Sequence, residues 1–488
     1  MRPHDHRVHE VAVIGGGFAG IAAAHSLKKA GITDFTVFEA DEGPGGTWRV
    51  NTYPGCEVDV PSHAYSFSFM RYDWARTHAR QPDLQRYAED VVDTFGLRPH
   101  FRFGTRVDSA VWDEASASYV VTSSDGRIES YRFVIAGLGL LSVPRYPQWP
   151  GLDEFQGISF HTSDWPAELD LRGRRVAVVG TGSTAVQIVP AIADDAAQLY
   201  VYQREPGWVE PKHERDFTRR ERWLLRHVPA FAWGRRMMLF WQAMRRFKGY
   251  DATSRRQVRM RQLCLDFIER SIKDPLTREA VTPSYPWGCK RPVLASTFYP
   301  TLNRPDVELV PHAVTRVTRN AVVDETGAER EVDVLVMSTG FQPTRFMAGV
   351  KLVGRDGREI QEAWGDRPRA FLGVTVPQFP NLFILYGPNT NGGSSVIAQI
   401  ERQTKMARRA ITRVHSKRHR LVDTRPAALD RYVRWIDRQL ATHASAMEAG
   451  CHNYYHSESG ANVTQWPRSS VAYWVAAHVL PRFGLVYE

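Results

Sequence analysis

The 488-residue chain has only four cysteines, Cys56, Cys264, Cys289 and Cys451. None stands in a C-x-x-C pair, which excludes a redox dithiol of that type and a zinc site with paired-ligand spacing. A run of about 18 apolar residues, the length a membrane-crossing helix needs, is also missing. The N-terminal MRPHDHRVHE carries charge but no apolar centre, so no secretory signal is expected and the cytoplasm is the expected compartment. Excess charge is absent from most of the chain. The net charge is +10, yet residues 215–262 hold fourteen Arg and Lys against three acids, a net +11. The remainder is near neutral, so no nucleic acid is expected as a partner.

A hydrophobic content of 43% and a charged content of 24% describe a soluble globular protein, and the length suggests two or three domains. Within it one unit occurs twice. EVAVIGG reads as a buried parallel strand, followed by the turn Gly15-Gly16-Gly17-Phe18-Ala19-Gly20 and a helix ending at Gly31; the next strand, FTVFEA, reaches Glu39. Glycines at 15, 17 and 20 permit a tight turn, close approach of backbone N–H groups to a pyrophosphate, and close helix–strand packing. Glu39 stands where a carboxylate accepts hydrogen bonds from ribose hydroxyls. The second unit, RVAVVGTGSTAVQIVPAIA, places Gly180, Thr181, Gly182, Ser183, Thr184 and Ala185 at the equivalent turn. Its following strand ends in Gln203-Arg204 where the first unit has an acid. Arginine there pairs with the 2′-phosphate of NADP, while an acid suits FAD or NAD. Glu205 follows directly and bears on how strict that preference is. The fold expected is α/β, with two Rossmann-like dinucleotide-binding domains.

Residues 212–286 lack strand patterning and read as a helical insertion in the second unit. Inside it Trp233, Met237, Phe240, Met244 and Phe247 recur at helical spacing. A stripe of this kind is expected to be a core face. Its basic surroundings keep weak contact with a membrane surface open as the alternative.

Between the two glycine turns lies FQGISFHTSDWP, with Phe155, Gly157, His161, Trp165 and Pro166 at the spacing Phe-x-Gly-x-x-x-His-x-x-x-Trp-Pro. This resembles the fingerprint of the class B flavoprotein monooxygenases. A second motif, Gly46-x-Trp48 leading to Tyr53-Pro54-Gly55 and Asp59, resembles the longer signature of the Baeyer–Villiger enzymes in that family. Tyr65 follows at the family's flavin-side aromatic position. Lys290-Arg291-Pro292, Ser338-Thr339-Gly340-Phe341 and Gly387-Pro388-Asn389-Thr390 resemble the family's catalytic-arginine, crossover and closing-loop motifs. Arg49, Val50, Thr52 and Asn453 depart from common members, which leaves the substrate unread.

The resemblance implies FAD and NADPH as cofactors, no metal, and oxygenation of a ketone to an ester or lactone by O2 through a C4a-peroxyflavin. It implies Arg291 and Asp59 as catalytic residues. As cofactor contacts it implies Gly46, Thr47, Trp48, Asn51, Asp59, Tyr65, Val107, Lys290 and Asn389 beside the two turns and Arg204. The alternatives are an N- or S-oxygenase acting on amines or sulfides, and an uncoupled NADPH oxidase. The expected parts are 1–145 and 341–488 for FAD, 146–211 and 287–340 for NADP, and 212–286 for the insertion. Monomer and homodimer both stay open.

Overall fold

A computed structural model describes residues 7–392, 395–446 and 453–488. The apolar run before the first glycine turn forms the strand Val8–Ile14 inside the larger sheet, with Val11, Ala12 and Val13 wholly buried. A strand covered on both faces has to be apolar throughout. It pairs in parallel with Phe35–Phe38 on one side and Ile128–Ala136 on the other, so Val13 lies between Val37 and Ile135. Phe101–Arg102 extends the sheet beyond Phe35–Phe38; on the other side follow the antiparallel strands Ser118–Ser123 and Val107–Asp113, then Lys351–Val353. The late strand Leu382–Ile384 also joins Ile128–Ala136, so the chain returns to this sheet near its end.

The helix Phe18–Lys29 packs so closely that a Cβ on Gly20 would lie 1.9 Å from the Gly15 carbonyl oxygen. That contact is the physical reason for the third glycine of the turn.

The second sheet has five parallel strands in the order Val307–Val310, Gln198–Tyr202, Arg175–Val179, Val334–Met337, Ile158–His161. The tryptophan–proline segment therefore begins as its edge strand. His161 is fully buried: Nδ1 accepts from the Ser163 amide at 3.2 Å, and Nε2 lies 3.0 Å from the Gly340 carbonyl, to which it donates in the matching tautomer. The same carbonyl accepts from the Arg145 amide at 2.9 Å, and the Gln342 amide donates to Val143 at 2.9 Å. The two chain crossings between the sheets thus run side by side.

Between residues 219 and 280 the chain is helical, in the segments Arg219–His227, Pro229–Phe247, Arg255–Ser271 and Pro275–Ala280. The helix Pro229–Phe247 is attached by Leu239, its one buried residue, and by Arg246, whose guanidinium donates to both carboxylate oxygens of buried Glu210 at 2.6 and 2.8 Å. Trp287 Nε1 donates to the same carboxylate at 3.0 Å. These anchors leave the expected core stripe at the edge of the inward face, where Met237, Phe240 and Phe247 line the cavity described below. Trp233 is 67% exposed, and Met237, Phe240, Met244 and Phe247 are only partly covered. The periodicity was correct for a helix, but the charged anchor, which periodicity weighs as polar, chose the inward face. Among the described residues no helix is long and apolar enough to cross a membrane.

Removing one partner of a buried pair leaves a charge without compensation. Arg246→Ala should therefore destabilise the insertion by roughly 3 kcal/mol. Hydrogen exchange should show faster exchange across residues 229–271, with the strand Val8–Ile14 unchanged.

Candidate active site

At the first turn Gly15 has φ +98°, and the Glu39 carboxylate folds back to accept from the Gly16 amide at 2.5 Å and the Asp41 amide at 2.9 Å. Burial raises the Glu39 carboxyl pKa, opposed by the Asp41 and Gly16 amides. Among the described residues nothing accepts from the amides of Phe18 and Ala19, or from those of Thr181, Gly182 and Ser183 at the second turn. Unpaired helix-start amides suit a pyrophosphate. A Cβ at Gly182 would meet nothing within 4 Å, whereas one at Gly180 would meet the Ser338 carbonyl at 2.5 Å. The two glycines therefore differ: one lets the turn lie against the end of the neighbouring strand Val334–Met337, the other keeps room above the turn. On this test both turns fit a dinucleotide.

The loop after Gly46 forms the short helix Thr47–Val50, and the Asn51 side-chain amide donates to the Thr47 carbonyl at 2.8 Å, closing that turn. Trp48 Nε1 donates to the Tyr65 hydroxyl at 3.1 Å. Burial pushes the Tyr65 hydroxyl pKa up to about 12. Phe18 lies 5.8 Å from Tyr65, ring centre to ring centre, so the glycine turn and both aromatic candidates form one wall. Val107, at the start of its strand, is buried among Ala12, Ile14 and Phe38; two residues before it, the Thr105 amide donates to the Glu39 carbonyl at 2.8 Å.

The Tyr53–Asp59 segment docks on the helix Ala185–Ile192 of the second unit. The Tyr53 hydroxyl donates to Gln187 Oε1 at 3.2 Å, and Gln187 Nε2 donates to the Glu57 carbonyl at 3.1 Å. Gly55, with φ +78°, sits so close that a Cβ would be 2.5 Å from the Gln187 carbonyl oxygen. The Glu57 carboxylate pairs at 2.6 Å with Lys212, whose side chain is 1% exposed.

This docking carries Asp59 to the seam, where Arg291 meets it: Nη2 and Oδ2 are 3.6 Å apart. The pair is an ion pair and lies beyond hydrogen-bond reach. Desolvation works against the Arg291 charge; the attraction of Asp59, with the hydroxyls of Tyr454, Tyr250 and Tyr455, outweighs it and raises the pKa. Both residues line a cavity of about 1090 Å³ together with Tyr250, Asn391, Tyr455 and Gln465.

At the coenzyme end Arg204 is exposed just after its strand, while Lys290 donates to the Glu205 carboxylate at 2.5 Å and lies 4.9 Å above the Tyr285 ring. Glu205 therefore does not point freely to solvent. Asn389, in the left-handed region at φ +55°, directs its side-chain amide to the carbonyls of Asn462 at 2.9 Å and Gln465 at 3.2 Å. It ties the closing loop to the C-terminal tail.

Several neighbours of the site were not found from sequence. Gln187 is a single glutamine on a helix, with no local signal. Tyr250, Tyr386 and Tyr455 belong to no motif; only the Asn453-Tyr454 departure pointed toward them.

Two dinucleotide-type turns, one per sheet, with an arginine–carboxylate pair at the seam between them, define a flavin- and nicotinamide-dependent class of oxidoreductase. A family profile described as pyridine nucleotide-disulphide oxidoreductase matches residues 12–220. A Baeyer–Villiger monooxygenase of Pseudomonas aeruginosa is 37% identical, over 94% of this chain and 87% of that protein. A Baeyer–Villiger monooxygenase of Streptomyces coelicolor is 38% identical, over 97% and 92%. Among solved structures, an oxidized steroid monooxygenase bound to NADP superposes with a TM-score of 0.89 at 28% identity, covering 99% of each chain. Cyclohexanone monooxygenase from Rhodococcus sp. Phi1 bound to NADP+ gives 0.88 at 29% identity, again over 99% of each. The chain belongs to the Baeyer–Villiger monooxygenase family.

The seam makes its own prediction. Gly126 has the same φ as Gly55, +78°, but a Cβ there would meet nothing within 4 Å. Gly126→Ala should cost about 1 kcal/mol of backbone strain, and Gly55→Ala a further 1–3 kcal/mol or so for displacing the Gln187 backbone. Denaturation midpoints of the two variants, measured side by side, read the difference.

Proposed function

We propose that this chain oxygenates a ketone to an ester or lactone using O2, FAD and NADPH, with Arg291 and Asp59 as its catalytic residues. The observation that carries the proposal is the meeting at one cavity of a guanidinium from the second half of the chain and a carboxylate from the first, 3.6 Å apart. Overall, ketone, O2, NADPH and a proton become ester, NADP+ and water. Bound FAD, reduced by NADPH, supplies the activated oxygen.

The residues present supply the rest. The Gly15–Gly20 turn and Glu39 would hold the adenosine end of FAD, and Trp48 and Tyr65 would flank its ring system. The Gly180–Ala185 turn and Arg204 would hold NADPH. As oxygen attacks the carbonyl carbon, negative charge gathers on the substrate's carbonyl oxygen. Arg291 answers it with several N–H donors on a group that keeps its proton. Asp59 acts through position: its charge draws the guanidinium toward the seam. Similarity to cyclohexanone and steroid monooxygenases supports a ketone as the substrate class. The cytoplasm, where NADPH is kept reduced, is part of this reading.

Arg291→Ala should bind FAD and be reduced by NADPH, while ester formation falls by about a hundred- to a thousandfold. NADPH consumption should then appear as hydrogen peroxide. Asp59→Ala should show a milder loss. Mass spectrometry of products from a panel of cyclic, linear and aryl ketones and sulfides, with peroxide measured alongside, checks this. Ester formation at near the normal rate in Arg291→Ala would refute the assignment.

We propose further that Arg204 reads the 2′-phosphate and that Glu205, by holding Lys290, weakens that reading. Loss of a charge-assisted phosphate contact costs about 1.5–3 kcal/mol. Arg204→Ala should therefore raise the NADPH Michaelis constant roughly ten- to a hundredfold and leave NADH nearly unchanged. Glu205→Thr should lower the NADPH constant, which the same assay and direct NADP+ titration both read.

A further inference from the structure

We propose that the helices Arg219–His227 and Pro229–Phe247 form a docking face for an anionic lipid bilayer, set at the rim of the active-site cavity. Trp223, Phe231, Trp233, Met238 and Trp241 are 57, 42, 67, 45 and 57% exposed. Single exposed apolar residues are ordinary, but five on two consecutive helices, three of them tryptophans, mark an interaction surface. Tryptophan also favours the level of lipid headgroups.

The charge around this cluster selects the partner. Arg219, Arg220, Arg226, Arg245 and Lys248 are exposed on the same two helices and the turn that follows. The nearby acids are engaged elsewhere, Glu221 with Arg215 at 2.6 Å and Asp216 with Arg76 at 3.3 Å. A twofold contact between two copies of the chain would set this basic face against itself. An anionic bilayer takes both parts, the tryptophans at its headgroup level and the basic residues against its surface charge. The Arg246–Glu210 anchor and buried Leu239 fix which side of the helix faces outward, so the face is preformed. No described helix is able to span a bilayer, so contact is along the surface.

The location gives the contact a use. Met237 and Met238 line the cavity, as does Trp474, 49% exposed. A bilayer seated on this face lies at the cavity mouth, where an apolar ketone dissolved in lipid enters without crossing water. That use rests on the function proposed above; the docking does not.

The test is co-sedimentation of the FAD-loaded protein, without NADPH or substrate, with vesicles of phosphatidylcholine alone or mixed with about a third phosphatidylglycerol. Partition should be at least tenfold greater on the mixed vesicles at low salt and should fall away once salt shortens the screening length to about 3–4 Å. Trp233→Ser with Trp241→Ser should lower it at least tenfold without changing the melting temperature. Should that variant fold poorly, Arg219→Glu with Arg226→Glu should do the same. Absence of partition, partition indifferent to lipid charge or to both variants, conversion of a dimer to a monomer by the tryptophan variant, or retention on single-stranded DNA in preference to vesicles would each overturn the proposal. Any of these would leave ester formation as a separate result.

Discussion

The site depends on one contact surface, the docking of the Tyr53–Asp59 segment onto the helix Ala185–Ile192. Neither partner of the Asp59–Arg291 pair is near the other in sequence, and each belongs to a different half of the chain. The carboxylate reaches the seam because Gly55 lets the backbone touch the Gln187 carbonyl and because Gln187 holds Tyr53 and Glu57. The buried Lys212–Glu57 pair closes the same junction. A shift of this junction would move Asp59 relative to Arg291 without altering either glycine turn. Precision at the seam therefore rests on backbone packing more than on the charged residues themselves.

Much of this was legible from the chain alone, for a physical reason. Dinucleotide turns are local: strand, glycines, helix and acid lie within a few tens of residues, and Gly20 and Gly180 answer close contacts visible in the fold, with the Gly15 and Ser338 carbonyls. Arg291 and Asp59 were legible only through motif resemblance, since no local spacing connects them. Gln187 was not legible at all, and the tyrosines around Arg291 only through the departure at Asn453-Tyr454. They are brought together by tertiary structure, and a lone glutamine or tyrosine carries no periodic or spacing signal. Glu205 shows the limit within a motif: its presence was plain, but its partner Lys290 lies 85 residues away.

The insertion teaches a different lesson. A hydrophobic stripe at helical spacing marks a helix, but which face goes inward is decided by the strongest available contact. Here a buried carboxylate recruits Arg246, and the arginine brings its own side of the helix to the protein. Apolar residues that pattern alone assigns to a core are left partly covered or exposed, beside an unusually dense group of arginines. The same arrangement accounts for the positive balance of the whole chain, which is local to this segment.

The two crossings between the sheets have a consequence for how this architecture came to exist and how it can be altered. Arg145 donates to the carbonyl of Gly340, so some two hundred residues leave and return through one point. Because loop-closure entropy grows only with the logarithm of length, about 0.6 kcal/mol per doubling, a module tethered in this way is nearly as easy to accommodate as a short hairpin. The strand pairing of the host sheet needs only that the two ends of the tether stay adjacent, whereas the site also needs Tyr53–Asp59 to dock on the tethered helix. Exchange of the whole intervening segment between relatives should thus be mechanically simpler than grafting individual loops, provided the replacement reproduces the clasp at the buried imidazole of His161 and the Gln187 contact to Tyr53 and Glu57.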